Sequence, residues 1–144
     1  MNNPVAESLK AVLADSYTLY LKTQNYHWNV TGPHFASLHV LFEQHYTELT
    51  MAIDEIAELI RGLGEKAPGS FEAFQEISTI ASGDVNASAE QMVKELAADQ
   101  LAVSKTVQAA LEAAQAAEDE VVIGALTERL TVHRKNAWML KSSL

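Results

Sequence analysis

Residues 35–62 read FASLHVLFEQHYTELTMAIDEIAELIRG, and this stretch decides the fold. Phe35, Leu38, Phe42, Tyr46, Leu49, Ile53, Ile56 and Ile60 recur every three or four residues, the repeat of one face of an α-helix. Gly62 and Gly64 end the pattern, since glycine accepts the left-handed dihedrals in which helices close. A second stripe runs beside the apolar one: His39, Glu43, Asp54 and Glu58, at intervals of four, eleven and four residues. At about 100° per residue they share one broad sector of the helix, yet at 1.5 Å per residue about 22 Å separates His39 from Asp54. One ion cannot touch both ends of that stripe in one chain. The spacing makes sense if a second copy of the helix lies antiparallel, so that His39 and Glu43 of one subunit meet Asp54 and Glu58 of the other. The two-fold axis then crosses near Glu48 and Leu49, and an isologous pairing of this kind makes two equivalent sites.

Upstream, Asn3-Pro4 reads as an N-cap followed by proline at the first helical position. Val5, Leu9, Val12, Ser16, Leu19, Thr23 and Tyr26 then predict a helix to about Val30, broken by Gly32-Pro33. His27 lies as far before that turn as His39 lies after it, so an antiparallel hairpin sets the two imidazoles side by side. Downstream, residues 65–86 hold Gly, Pro and Ser clusters around Phe71-Glu72-Ala73-Phe74-Gln75-Glu76-Ile77, which is long enough for a short helix inside a crossover. Ser88 with Gln91 suggests a capping box for a third long helix, striped by Val93, Leu96, Val103, Val107, Leu111 and Ala114 and ending near Ala117. Glu118-Asp119-Glu120 places negative charge where a fourth helix starts, and Ile123, Leu126, Leu130, Ala137 and Leu140 carry its stripe. The expected architecture is all-α: one domain over residues 1–144, a four-helix bundle of ferritin-like pattern with a long second-to-third connection. That connection makes the second and third long helices parallel.

Composition narrows the chemistry. The chain has 144 residues, 48% of them apolar, no cysteine and a formal charge of −9. Disulfides, thiolate metal sites and thiol catalysis are excluded, which leaves histidine and carboxylates as ligands. No apolar run approaches a membrane span, and Met1-Asn2-Asn3-Pro4 shows no secretory signal, so a cytoplasmic location is expected. The acidic balance repels phosphate backbones on average and attracts cations. No HExxH motif, Glu-x-x-His pair, Gly-rich phosphate loop or Ser/His/Asp arrangement occurs. Taken singly, each histidine and acid of the stripe reads as an ordinary solvated residue. Together with His27 they form a mixed nitrogen and oxygen set that leaves positions open, which suits reactive Fe(II) better than a closed structural zinc site.

The residues also resemble a known family. Asn25-Tyr26-His27-Trp28-Asn29-Val30-Thr31-Gly32-Pro33-His34-Phe35, then Leu38-His39, Glu43 and Asp54-Glu55-Ile56-Ala57-Glu58, is similar to the signature of the Dps proteins, the mini-ferritins or starvation-induced DNA-protecting proteins. Glu128-Arg129-Leu130 and Trp138-Met139-Leu140 extend the likeness to nearly the whole chain. The resemblance implies a cytoplasmic dodecamer of tetrahedral symmetry, a ferroxidase that oxidises Fe(II) with hydrogen peroxide, or more slowly oxygen, and stores ferric mineral in its cavity. It implies two iron ions per inter-subunit centre: His27 and His39 as ligands from one subunit, Asp54 and Glu58 from the other, and Glu43 near the second, weaker iron. Many members carry aspartate where Glu43 stands, so direct and water-bridged ligation by Glu43 both remain open. Trp28 neighbours the centre, either as packing or as a redox partner for one-electron chemistry. Asp119 and Glu128 match acidic positions that line the family's three-fold pores, although helix-end charge and a solvated face explain them equally well. His34 and His45 read as surface residues and His133 as a partly buried residue of the last helix. The alternative function is a DNA-binding, nucleoid-compacting shell; acidic charge and the lack of a basic tail argue against direct DNA binding.

Overall fold

The computed structural model describes residues 3–144. Met1 and Asn2, the start of the stretch read for a secretory signal, lie outside the described residues. Four of the five helices begin where a side chain satisfies N–H groups that no helical carbonyl can reach. Asn3 Oδ1 accepts from the amides of Val5 and Ala6, and Pro4 opens α1 (Pro4–Asn29). α2 (Phe35–Gly62) follows a short turn without a side-chain cap. Ser70 Oγ caps α3 (Phe71–Ile77), the short helix of the crossover. Ser88 Oγ caps α4 (Ala89–Ala116) and the Asp119 carboxylate caps α5 (Glu120–Lys141). The expected capping box at α4 is only half formed, because the Gln91 amide donates to Glu95 instead of reaching back to Ser88.

Helix directions follow from the polar contacts. Tyr26 bonds Glu95, Lys22 pairs with Asp99 and Asp15 accepts from Thr106, so α4 runs antiparallel to α1. His27 lies against His39 and Tyr20 against Tyr46, so α2 is also antiparallel to α1. α2 and α4 are therefore parallel, as the long connection predicts. α5 packs antiparallel to α4 and is tied to α2 by a bidentate Arg129–Glu48 ion pair. Leu9, Leu13, Leu19, Tyr26, Phe42, Leu49, Ile56, Ile60, Met92, Leu96, Leu126 and Leu140 are sealed inside, each worth on the order of 2 kcal/mol of burial. Among the described residues, no helix is long and apolar enough to cross a membrane.

The buried row of α2 differs from the apolar stripe read in the sequence. It is Leu38, Phe42, His45, Leu49, Ala52, Ile56 and Ile60; Tyr46 and Ile53 are half-buried, and Phe35 is exposed. His45 is thus a core residue and not a surface one, because it stands three residues after Phe42 and four before Leu49. His133 is fully buried, beyond the partial burial expected. His34 is exposed.

Two helix ends use the same closure with different residues. After α2, Gly64 (φ +91°) and Glu65 donate back to Arg61 and Ile60. After α4, Glu118 (φ +55°) and Asp119 donate back to Gln115 and Ala114. Both are Schellman closures, which require a left-handed residue that glycine adopts without steric cost. The crossover is held by Asp15, whose buried carboxylate accepts from Ser78 Oγ, Thr79 N, Thr79 Oγ1 and, across the bundle, Thr106 Oγ1.

Candidate metal centre

The turn end of the α1–α2 hairpin brings His27 and His39 into contact, with ring centroids 3.8 Å apart and planes 12° from parallel. Each ring is held by the other residue's main chain. His27 Nδ1 lies 2.7 Å from the His39 carbonyl oxygen, and His39 Nδ1 lies 2.7 Å from the His27 carbonyl oxygen. A carbonyl oxygen only accepts, so both Nδ1 atoms carry a proton, and Nε2 is the nitrogen left on each ring to serve as a ligand. This is the second-shell arrangement that orients a metal-binding imidazole. His27 is buried and His39 half-buried. Glu43, one turn after His39, reaches the same space: its Oε1 lies 3.9 Å from His27 Nε2, within reach of one ion bonded to each at about 2.1 Å.

Asp54 and Glu58 are elsewhere. Both are exposed on the C-terminal half of α2, where they line a cleft of 480 Å³ together with Met51, Glu55 and Asp119. Among the described residues no group of three or more potential ligands gathers into a metal-holding cluster. One chain therefore carries two separated half-sets, an imidazole pair with one carboxylate and a carboxylate pair. Asp119 spends one oxygen on the Val122 amide as the α5 cap, and Glu128 is exposed outside the cleft. Trp28 is 62% exposed and makes no ring contact with either imidazole.

Residues 6–144 match the family model described as a ferritin-like domain. The chain is 38% identical to DNA protection during starvation protein 2 of Bacillus anthracis, covering 100% of this chain and 99% of that protein. The crystal structure of Dps from Staphylococcus aureus superposes with a TM-score of 0.94 at 38% identity, over 97% of this chain and 94% of that one. The chain belongs to the Dps family of ferritin-like proteins. A Dps protein from Vibrio cholerae O1, described as a member of a broad superfamily of ferritin-like diiron-carboxylate proteins, matches at 28% identity and a TM-score of 0.92, covering 96% of this chain and 87% of that one.

This Dps-family chain also contains polar groups that sequence reading did not assign. His133 Nδ1 donates to Gln100 Oε1 at 2.7 Å, and Arg129 Nη2 approaches His133 Nε2 at 3.3 Å while also bonding Glu48. His45 Nε2 and Arg129 Nε are buried without a hydrogen-bond partner among the described residues. Burial pushes His45 down to about 4 and, helped by the neighbouring Arg129 and His45, pushes His133 down to about 3. The only sequence signal for this network was three polar residues, His45, Gln100 and His133, each at a core position of a different helix.

Proposed function

We propose that this Dps-family chain assembles into a dodecameric hollow shell that oxidises Fe(II) with hydrogen peroxide, or more slowly oxygen, and stores the ferric product inside. The observation that carries the reading is the pair of imidazoles cross-tied through Nδ1, with His27 Nε2 beside Glu43, on a chain whose Asp54 lies about 22 Å from His39 along the same helix. In this reading His27 and His39 of one subunit and Asp54 and Glu58 of a two-fold partner hold the substrate iron, and Glu43 serves a second, weaker ion. Two Fe(II) then give one electron each to a peroxide, yielding two Fe(III) and two hydroxide ions, so no hydroxyl radical is released. The chain's own residues position the pair, shield it on the α1 side and supply carboxylates that stabilise the rising metal charge. The diiron-carboxylate description of the V. cholerae protein supports the same direction. Acidic charge, −9 per chain, favours cation delivery, and Asp119 and Glu128 are the candidates for an entry pore.

Mixed assembly tests the shared site. A His27→Gln, His39→Gln chain and an Asp54→Asn, Glu58→Gln chain should each fail to oxidise Fe(II) rapidly. Co-assembled at equal ratio, half of the dimers are mixed and one of their two sites is intact, so about a quarter of wild-type activity returns. No recovery in shells shown by mass to be mixed would sink the inter-subunit site.

One observation favours a second reading, direct DNA binding. No Asp or Glu follows Glu128, and Arg134, Lys135, Trp138 and Lys141 are all exposed on the last half of α5, an aromatic among cations. A gel shift at low salt with and without Mg²⁺ checks it; a complex formed without Mg²⁺ and lost in Arg134→Ala, Lys135→Ala would promote this reading.

A further inference from the structure

Of the apolar stripe on α2, only Phe35 is exposed, with 43% of its surface open to solvent. The core does not explain a ring at that place, but its neighbour does. Phe35 stacks on His39 with centroids 4.9 Å apart and planes 25° from parallel. Helix geometry makes the contact: side chains lean toward the N-terminus, so a ring lies over the residue four positions earlier. Among the described residues Phe35 makes no ring contact with His27, so it covers the face of His39 that His27 leaves open. The two imidazoles are not equally well held. His27 is buried and has Tyr46 edge-on at 5.2 Å, whereas His39 is half-buried and sits just beyond the first turn of α2, a helix that starts without a side-chain cap. The hydrogen bond from His39 Nδ1 fixes one corner of the ring. The torsion that turns an imidazole about its Cβ–Cγ bond is broad, and a swing there carries Nε2 out of line. A flat group against each face stops that swing.

We propose that Phe35 is a positioning residue of the metal centre, whose ring holds the plane of His39 so that Nε2 points at the ion. The inference rests on the ferroxidase reading, in which His39 is a ligand, and adds a residue that touches no ion itself. Two effects act together. The first is steric: with His27 on one face and Phe35 on the other, the His39 ring keeps one orientation before any cation arrives, so less freedom is lost on binding. The second is electrostatic. An imidazole that shares its lone pair with a cation becomes electron-poor, and the negative face of a phenyl ring attracts an electron-poor neighbour. Leucine or methionine at position 35 would fill much of the same space but offers neither a flat face nor that attraction. The exposure of Phe35 makes the fold tolerant of such changes, so the loss falls on metal affinity. An aromatic pair of this kind corresponds to a change of about three- to tenfold in a binding constant.

The test titrates the assembled, metal-free protein with Co(II), whose visible absorption bands report both occupancy and the arrangement of the ligands. Phe35→Leu should bind Co(II) about three- to tenfold more weakly than wild type, with altered bands. Phe35→Met, a second side chain without a flat face, should repeat the loss, and it carries the test if the leucine variant does not assemble. Phe35→Tyr keeps the face and should stay within about twofold of wild type with the same bands. A residue that merely supports the start of α2 would not give that split between tyrosine and the two aliphatic variants. Wild-type affinity and bands in Phe35→Leu and Phe35→Met, or a loss in Phe35→Tyr as large as theirs, overturns the positioning role. If Co(II) binding is abolished in the His27→Gln, His39→Gln chain in that same experiment, the centre still stands. Co(II) bound by the His27→Gln, His39→Gln chain as tightly as by wild type overturns the centre and the role of Phe35 together.

Discussion

Acid should act on this fold through two histidines in its interior. His45 falls to about 4 and His133 to about 3 in the folded chain, against 6.5 for a free imidazole. Both folded values lie below the unfolded one, so the unfolded chain takes up protons first as the pH drops. Their contribution to stability is complete above about pH 6.5 and is lost as the pH falls toward the two folded values. At pH 5 each unfolded imidazole is almost wholly charged and each folded one almost wholly neutral, a difference worth about 2 kcal/mol per residue, or about 4 kcal/mol for the pair. His133→Gln isolates half of this effect: its amide can still donate to Gln100 and accept from Arg129, but it does not titrate. Denaturant unfolding of both proteins across a pH series, at fixed protomer concentration because assembly adds to stability, gives the difference between them. The variant should be the less stable protein at pH 7.5, and the gap should close by about 2 kcal/mol by pH 5. A gap that stays constant over that interval would refute the argument that buried neutral His133 sets the acid limit.

Three further outcomes follow from the fold. Glu118→Gly should stabilise by about 1 kcal/mol and raise the melting temperature by a few degrees, since it removes the left-handed strain at the α4 closure where Gly64 already serves α2. Asp15→Ala should cost about 3 kcal/mol by unfolding equilibrium, with amide exchange rising first at Thr79 and Ile80, because one carboxylate serves Ser78, Thr79 and Thr106. Gly83→Ala should destabilise by about 1–3 kcal/mol in the same assay, since its Cβ would lie 2.9 Å from the buried Tyr26 ring, whose hydroxyl is pinned by Glu95 and the Asp84 amide.

The helices were legible because their ends are written in local chemistry: Asn3-Pro4, Ser88 and the acidic run around Asp119 start three of the five and Gly64 closes α2, whereas the Ser70 cap of α3 emerged only from the structure. Their directions were legible because a long crossover leaves no other choice for α2 and α4. The burial of α2 was read less well, for a physical reason. Counting large apolar residues favours Tyr46 and Ile53, whereas the angle around the helix favours His45 and Ala52. A core histidine is recognisable only by its partners, and those around His133 come from three helices that the sequence does not align. At the candidate centre, the meeting of His27 with His39 follows from equal distances to the turn. The grouping of Asp119 with Asp54 and Glu58 does not, since it depends on where the α4–α5 turn lands against the end of α2.

The crossed hydrogen bonds of the imidazole pair bear on how this centre can change. The His27 carbonyl belongs to the final turn of α1, where main-chain acceptors have no helical donor, and the His39 ring fills that vacancy. In the proposed centre one side chain would thus finish a helix and offer its far nitrogen to a cation, so that the ring orientation is set when the chain folds and less rotamer freedom is left to lose on metal binding. Replacing that ring with a carboxylate would keep a ligand but forfeit the N–H that seals the hairpin. The architecture itself, more than the taste of the metal, holds histidine at this position.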